Sequence, residues 1–151
     1  MIFKVINISK NVIDKIMFIL QKNNLKKCEA TTCTVNGYQT ENIIKLFNND
    51  ILKKILPIDN LHKKIFHIHY IKYNSNGYQA EHCHETTEKY SFILYLNDSD
   101  GDTVFKEPIN KKITPKLGKL IFFDSSILHR GEISNKGKEI LVGAVDKNRN
   151  F

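Results

Sequence analysis

Three histidines constrain this chain more than any other feature of its sequence. His82 and His84 flank a single residue, and His129 lies 45 positions beyond His84, after several strand-like runs. In an extended strand, residues i and i+2 face the same side, about 6.6 Å apart. Two imidazoles held in this way can bind one metal ion, and a third from a distant strand can complete a facial set. The spacing predicts a metal inside a small β-barrel, with open positions for substrate or oxygen.

The sequence around these histidines is typical of short strands joined by turns. Ile65 to Tyr73 alternates apolar and polar residues with a period of two, which predicts a strand. Turn residues fill 97–101 and 135–137. Further strands are expected at about 79–84, 90–96, 102–105, 110–114, 119–123, 127–131 and 138–146. His67 and His69 also have His-x-His spacing, but no metal-site pattern surrounds them, and we interpret them as structural residues of their strand.

The first 64 residues differ, because helical spacing dominates there. The stretch from Met1 to Ile8 predicts an opening strand, and Ser9 is the expected N-cap of a helix over 10–22. Residues 28–39 predict a short strand with a turn. Thr40 is the expected cap of a second helix that runs, with a break at 48–50, up to Pro57. Helices first and strands afterwards predict an α+β chain with a β-sandwich or barrel core.

Size and composition are those of one globular domain. The chain has 151 residues, a hydrophobic fraction of 41% and a net charge of +7. The lysines are scattered and no nucleic-acid-binding motif accompanies them, so we interpret them as a solvated basic surface. Cys28, Cys33 and Cys83 fit reduced thiols of a cytoplasmic protein. We expect no signal peptide and no membrane span, since lysines interrupt the apolar residues of the N-terminus and the longest apolar run is short.

The sequence motifs of residues 65–146, and their order, resemble those of the iron(II)- and 2-oxoglutarate-dependent oxygenases of the prolyl 4-hydroxylase type. A strand ending at Tyr73 leads through a glycine turn to His82. Two segments then match the family's Tyr-Leu-Asn strand and Gly-x-Thr-x-Phe segment: Ile93-Leu94-Tyr95-Leu96-Asn97-Asp98 and Gly101-Asp102-Thr103-Val104-Phe105. The next matching pieces are Pro115-x-x-Gly118, Leu120-Ile121-Phe122-Phe123, His129 with Gly131, and Gly137-Lys138. Each piece alone is weak, but together and in register they are specific.

The resemblance implies a double-stranded β-helix, also called a jelly roll and shared with the cupins, supported by N-terminal helices. We expect a single domain over 1–151, with a helical support region at 1–64 and the core at 65–146. The family holds its iron by two histidines and one carboxylate. Carried onto this chain, the histidines are His82 and His129, whereas the carboxylate position, two residues after His82, is occupied by His84.

Three interpretations of this departure stay open. His84 would itself be the third ligand in a neutral three-histidine site. Alternatively, Glu85 or Glu88 would restore a carboxylate, and His82-x-His84-x-x-x-Glu88 also resembles the first metal motif of the cupins. In the third interpretation the site is degenerate and binds metal weakly or not at all. Cys83, between the two histidines, is expected on the opposite face of the strand as a small core residue.

The resemblance also implies a pocket for 2-oxoglutarate. The family anchors the far carboxylate of this cosubstrate with a Lys or Arg nine or ten residues after the second histidine. Those two positions are Lys138 and Glu139, and they face opposite sides of a strand. An inward Lys138 would neutralise the carboxylate, whereas an inward Glu139 would repel it. Tyr73 and Tyr95 match positions whose phenols help to hold the cosubstrate, although packing in the core explains them almost as well.

The resemblance therefore implies an iron(II)- and 2-oxoglutarate-dependent dioxygenase. Its substrate would be a prolyl or other peptide side chain, or a small molecule. The rival hypothesis, favoured by His84 and Glu139, is a cupin-like three-histidine metal protein or a pseudoenzyme that does not use 2-oxoglutarate. Arg130 is interpreted as a surface residue. The sequence does not decide the substrate, the native metal or the oligomeric state.

Overall fold

A computed structural model describes residues 1–28, 34–83 and 88–146 of the chain. Within these residues the helices are α1, Lys10–Lys22, and α2, Asn49–Ile55, with short 3₁₀ segments at Ile44–Leu46 and Leu61–Lys64. The strands are β1 Phe3–Asn7, β2 Lys27–Cys28, β3 Thr34–Thr40, β4 Ile65–His82, β5 Glu88–Tyr95, β6 Thr103–Phe105, β7 Lys111–Ile113, β8 Lys119–Asp124, β9 His129–Ser134 and β10 Lys138–Asp146.

The strands form one antiparallel sheet that curls into a half-barrel, and β4 belongs to both of its halves. The strand order is β1-β8-β5-β10-β4-β9-β6-β7, and β3 pairs with both β2 and β4. The first half of β4 pairs with β10, where Ile71 lies opposite Ile140. Its second half pairs with β9, where His82 lies opposite His129. This architecture confirms the predicted double-stranded β-helix core.

One continuous β4 replaces two expected strands. The sequence predicted strands at 65–73 and 79–84 with a glycine turn between them, but β4 runs from Ile65 to His82. The turn residues instead give an irregular stretch, because the pairing of β4 with β9 shifts register between Gly77 and Gln79 and again before His82. Gly77 is required by close packing, since a Cβ there would lie 2.6 Å from the carbonyl oxygen of Asn36. The bend in β4 carries the chain from one half of the barrel to the other.

Helix α1 confirms its prediction and supports the outer face of the sheet. The hydroxyl of Ser9 accepts a hydrogen bond from the backbone N–H of Val12, as an N-cap does. The apolar stripe that includes Ile13 and Ile16 is buried against the sheet. The first 64 residues also contribute strands, because β1 pairs with β8 and β3 pairs with β4.

The predicted cap of the second helix was wrong. Thr40 is the last residue of β3, and its buried hydroxyl accepts a hydrogen bond from the backbone N–H of Tyr70. The 3₁₀ segment follows, and α2 begins only after Asn48, whose side chain accepts from the backbone N–H of Ile51. For Thr40, a place at the end of a paired strand is therefore more favourable than a place at the start of a helix. Among the described residues, no helix is long and apolar enough to cross a membrane.

Two apolar layers lie on opposite faces of the curled sheet. Alternation along β4 sends Ile68 and Tyr70 toward the helices and Ile71 and Tyr73 into the barrel. The outer layer is filled by α1, α2 and the backs of the strands. The inner layer includes Ile93, Tyr95, Phe123 and Ile140. Residues on the inner face are therefore the ones that can form a site inside the barrel.

Candidate functional site

The barrel contains a cavity of about 250 Å³ with histidines on both walls. His82 comes from the second half of β4 and His129 from β9. His67 and His69 come from the first half of β4, which lies beside β10. The other residues around the cavity are Gln39, Ile71, Gln79, Ser91, Phe92, Ile93, Phe123, Val142 and Gly143. The lining combines imidazoles and amides with a largely apolar floor.

His82 and His129 have the geometry of two ligands of one metal ion. They are direct partners across β4 and β9, and their ring centroids are 4.3 Å apart. The Nδ1 atom of His82 is 2.8 Å from the carbonyl oxygen of Ala80, and that of His129 is 2.9 Å from the carbonyl oxygen of Ile127. A carbonyl oxygen only accepts, so each Nδ1 is a donor, and Nε2 is the nitrogen of each ring that could bind a metal. Metal-binding histidines are oriented in this way.

Packing fixes His129 further. It is only 3% exposed, its ring stacks on Phe105 with centroids 5.7 Å apart, and it meets the edge of Phe123 at 5.0 Å. Aromatic packing of this kind holds the imidazole in one rotamer. His129 is therefore preorganised for a role at the wall of the cavity.

The rest of the predicted metal set lies outside the described residues. His84 and Glu85 fall in the segment 84–87, and the side chain of Glu88 is likewise not described. Within the described ranges, no three His, Cys, Asp or Glu residues come together in a group that could hold a metal ion. The two described histidines fit a metal ion, and the identity of a third ligand remains a prediction.

His67 and His69 belong to the same cavity, which the sequence reasoning did not anticipate. Their ring centroids are 5.0 Å apart, and Nδ1 of His69 donates to the carbonyl oxygen of Thr40 at 2.9 Å. A signal for this placement was present in the sequence. Residues 67, 69, 71 and 73 share one face of a strand, and the resemblance already placed Tyr73 inside the barrel.

Lys138 points into the barrel, which decides the orientation that the sequence left open. Its side chain is buried at 2% exposure, and Nζ donates to the carbonyl oxygen of Gly101 at 2.9 Å. The ammonium also lies 5.0 Å from the centroid of the Tyr73 ring, a cation–π distance. Burial lowers the pKa of Lys138 to about 8, although the charges of Asp102, Asp100 and Glu132 act in the opposite direction. No acidic side chain of the described residues lies within ion-pair distance of Nζ.

Glu139 faces the opposite side of β10, toward helix α1. Its carboxylate accepts a short hydrogen bond from the hydroxyl of Tyr70. Burial, followed by this hydrogen bond, raises the pKa of Tyr70 far above its ordinary value. The feature that argued against an anionic cosubstrate, an inward glutamate, is therefore absent at this position.

Tyr73 and Tyr95 lie in the inner layer beside Lys138. Tyr73 is paired with Lys138 across β4 and β10, and Tyr95 is paired with Ile140 across β5 and β10. Both are buried, at 1% and 0% exposure. The hydroxyl of Tyr95 is 2.5 Å from that of Thr103, and burial is the main reason why the pKa of Tyr95 is raised. The Tyr95 phenol is therefore a neutral group of the barrel interior.

A thin layer separates Lys138 from the histidine cavity. Lys138, Tyr73 and Tyr95 are not among the described residues that line this cavity. Gln79 does line it, and a Cβ placed on Gly131 would lie 3.4 Å from both the Cβ of Gln79 and the Nζ of Lys138. Gly131 thus stands between the cavity and the ammonium, where the absence of a side chain keeps the separation small.

Two neighbouring residues lie at the surface. Arg130 forms long ion pairs with Glu81 at 3.7 Å and Glu132 at 3.8 Å, which agrees with the predicted surface position. Cys83 is exposed and carries a free thiol, so the prediction of a core residue was wrong. Beyond His82 the strand has ended, and the alternation of a strand no longer governs the direction of its side chain.

Comparison with known proteins supports the fold. No family model and no curated protein matches the chain. Among solved structures, a viral collagen prolyl hydroxylase from Paramecium bursaria Chlorella virus-1, in complex with 2-oxoglutarate, has a TM-score of 0.70 at 19% identity, covering 95% of each chain. HygX from Streptomyces hygroscopicus, with nickel, 2-oxoglutarate and hygromycin B bound, has a TM-score of 0.68 at 8% identity, covering 97% of this chain and 83% of that one.

A third similar structure comes from another group of the same architecture. A predicted oxalate decarboxylase from Thermotoga maritima has a TM-score of 0.56 at 16% identity, covering 82% of this chain and 94% of that one. Identities this low establish the architecture and leave the activity to the residues of the site. The chain therefore has the double-stranded β-helix fold that prolyl hydroxylases and other 2-oxoglutarate oxygenases share.

Proposed function

We propose that this chain is an iron(II)- and 2-oxoglutarate-dependent dioxygenase that hydroxylates a prolyl or other peptide side chain, or a small molecule. Its fold is that of the viral prolyl hydroxylase and of HygX, both of which were solved with 2-oxoglutarate. Fold alone does not carry an activity, so the proposal depends on how the residues of the site match the needs of this chemistry.

The buried ammonium of Lys138 is the observation that carries the proposal. A charged lysine at 2% exposure, with no described carboxylate at ion-pair distance, is unfavourable unless a ligand supplies the missing anion. The far carboxylate of 2-oxoglutarate is such an anion. The Tyr73 ring lies beside the ammonium, and Tyr73 and Tyr95 would help to hold that carboxylate. A structural role explains poorly why the inner face of β10 carries a cation here.

His82 and His129 would hold the iron, with a third ligand from His84, Glu85 or Glu88. When bound, the iron supplies the activation of dioxygen that is coupled to decarboxylation of 2-oxoglutarate. The protein's own contribution is orientation. The carbonyl oxygens of Ala80 and Ile127 accept from Nδ1 of each histidine, so that Nε2 is the nitrogen that would bind the iron.

The other side chains shape the space in which the substrate and cosubstrate would lie. Ile71, Ile93 and Val142 give the cavity an apolar floor, and Phe123 closes it beside His129. Apolar walls exclude water, and electrostatic attractions are stronger in such surroundings than in water. The cavity of about 250 Å³ is small for a ligand pocket, so a reacting group would enter while the rest of the substrate stays outside.

An anaerobic titration tests the proposal. The protein freed of metal is titrated with iron(II) and then with 2-oxoglutarate, and visible absorption is recorded at each step. We expect a weak metal-to-ligand charge-transfer band only when both are present. Metal binding without the band would refute the use of 2-oxoglutarate, and absence of metal binding would refute the enzyme altogether. A His82→Ala variant should lose both responses.

A cupin-like three-histidine metal protein is the second candidate function. It is favoured by His84 at the position of the carboxylate and by the likeness to the oxalate decarboxylase fold. A His84→Asp variant separates the two candidates. If the parent lacks 2-oxoglutarate turnover and the variant gains it, the cosubstrate pocket is intact and only the metal set differs. If neither protein binds 2-oxoglutarate, the cupin-like candidate is favoured.

A further inference from the structure

The loop before β6 and the turn before β10 are joined at one carboxylate. The loop is residues 98–102, and the turn is residues 135–137, which follows Ser134 at the end of β9. Asp100 accepts hydrogen bonds from the hydroxyl of Ser134 at 3.0 Å, from the backbone N–H of Asn135 at 3.0 Å and from that of Lys136 at 3.1 Å. These donors lower the pKa of Asp100 to about 2, with the N–H of Lys136 contributing most. The side chain is therefore a carboxylate at every pH at which the protein would work.

Further contacts tighten this junction. Ser99 donates from its hydroxyl to the carbonyl oxygen of Gly137 at 2.6 Å. Gly101 has φ +84, and a Cβ there would lie 2.8 Å from the carbonyl oxygen of Glu132 and 2.9 Å from the Cβ of Ser134. Only glycine fits such a close approach in this conformation. We call this junction of loop and turn the Asp100 clamp.

Both parts of the Asp100 clamp, the loop and the turn, lead to Lys138. The turn that Asp100 binds leads directly into β10, whose first residue is Lys138. The loop that carries Asp100 also supplies the carbonyl oxygen of Gly101, which accepts the hydrogen bond from Lys138 Nζ at 2.9 Å. The position of the lysine backbone and the position of its hydrogen-bond acceptor thus depend on the same carboxylate.

We propose that Asp100 is a positioning residue for Lys138, the anchor of the cosubstrate. Asp100 would hold the Lys138 ammonium at the place where the far carboxylate of 2-oxoglutarate would bind. This inference rests on the proposed function. Asp100 would not touch the cosubstrate. It would act through the turn, through the Gly101 carbonyl and through its negative charge.

The charge of Asp100 has a distinct effect from its hydrogen bonds. The groups that face the ammonium are Asp100 and Asp102 from the loop, Glu132 from β9 and the ring of Tyr73 from β4. The three carboxylates raise the pKa of Lys138 against the larger effect of burial. Removal of the Asp100 charge should therefore lower the pKa of Lys138 further, and the affinity for a dianion should begin to fall at a lower pH.

Asp98 is a matched control in the same loop. Its carboxylate also accepts from a backbone N–H, that of Leu117 at 2.8 Å, but this bond leads toward β8 and away from the turn before β10. Asp98 is not among the charges that act on the pKa of Lys138. Asp98→Asn removes a carboxylate charge from the same loop, with the amide oxygen still able to accept from Leu117, and does not disturb the clamp.

The test compares Asp100→Asn, Asp100→Ala and Asp98→Asn with the parent protein. Dissociation constants for 2-oxoglutarate are measured anaerobically in the presence of iron(II), over pH 6 to 9. NMR of ¹³Cε-labelled lysine follows the titration of Lys138, which is assigned with a Lys138→Met variant. We expect Asp100→Ala to weaken 2-oxoglutarate about tenfold or more, with iron(II) affinity unchanged. Asp100→Asn should lower the Lys138 pKa, and Asp98→Asn should change neither quantity.

The possible results separate this inference from the proposed function. A parent protein that binds no 2-oxoglutarate refutes the proposed function and, with it, the anchor. Parent-like affinity and an unchanged Lys138 titration in both Asp100 variants overturn the inference while leaving the proposed function intact. An equal loss of affinity in Asp98→Asn also overturns it, since the effect would then be general loosening of the loop. If Asp100→Ala does not fold, Asp100→Asn decides by the titration alone.

Discussion

Replacement of Lys138 by methionine should increase the stability of the protein and strongly weaken the binding of its cosubstrate. The pKa of Lys138 falls from 10.5 to about 8 in the folded chain because of burial. At about 1.4 kcal/mol per pKa unit, the buried charge destabilises the fold by about 3 kcal/mol at neutral pH. The variant relieves this penalty but loses the hydrogen bond to Gly101, so we expect a net gain of about 1 to 2 kcal/mol.

The pH dependence of stability follows from the same shift. Below pH 8, Lys138 is protonated in both the folded and unfolded states, and the full penalty is present. Between pH 8 and about 10.5 the unfolded state binds more protons than the folded state, so the free energy of unfolding should rise with pH. Urea denaturation at several pH values should detect this rise of about 3 kcal/mol in the parent protein, and Lys138→Met should lack it.

The affinity for 2-oxoglutarate should change in the opposite direction. Without Lys138 the far carboxylate would be buried with no counter-charge, which costs about 2 kcal/mol or more and corresponds to at least about 30-fold weaker binding. In the parent protein, affinity should fall as the pH rises through about 8, because the ammonium loses its proton. The measurement is an anaerobic titration monitored by the charge-transfer band or by heat.

Glu139→Gln is the control, since Glu139 lies next in sequence but faces helix α1 and Tyr70. It should leave the affinity for 2-oxoglutarate unchanged. The reasoning would be refuted if Lys138→Met bound 2-oxoglutarate as well as the parent, or if it were markedly less stable than the parent across the whole pH range. Either result would make Lys138 a structural residue.

Three further predictions follow from the same geometry. Gly131→Val should place a side chain between the cavity and Lys138 and weaken the binding of 2-oxoglutarate at least tenfold at unchanged iron(II) affinity, as measured by calorimetry; equal affinities would mean that the cosubstrate does not extend past Gly131. His129→Ala should abolish tight iron(II) or cobalt(II) binding in a spectroscopic titration, whereas His67→Ala should retain it; the reverse order would mean that the metal site is misassigned. Ser9→Ala should lower the free energy of unfolding by about 1 kcal/mol through loss of the α1 cap, without effect on either ligand.

Local sequence was sufficient wherever neighbouring residues decide the outcome. Ser9 and the apolar spacing of Val12, Ile13 and Ile16 fixed α1 at residues 10–22, because capping and amphipathicity operate within a few residues. The alternation from Ile65 to Tyr73 likewise identified the first half of β4. The ordered motifs of residues 65–146 predicted the double-stranded β-helix, which the structure confirms.

Long-range contacts overrode local preference at other positions. Thr40 has the side chain of a helix cap, yet pairing with β4 makes it the end of a strand. The residues near Gly77 favour a turn, but pairing with β9 draws them into one long strand. No pattern within a short window contains these partners, which lie tens of residues away.

The candidate site likewise has features that local sequence determines and features that depend on long-range contacts. The sequence by itself determined which residue types were available: the histidines, the candidate cation Lys138 and its neighbour Glu139. Only the tertiary structure decided that Lys138 faces inward, because the register of β10 between β4 and β5 sets which residues point into the barrel. It also brought His67 and His69 to the cavity of His82 and His129, since β4 bends and serves both halves of the sheet. A strand's periodicity separates its two faces, but its partners decide which face becomes the interior.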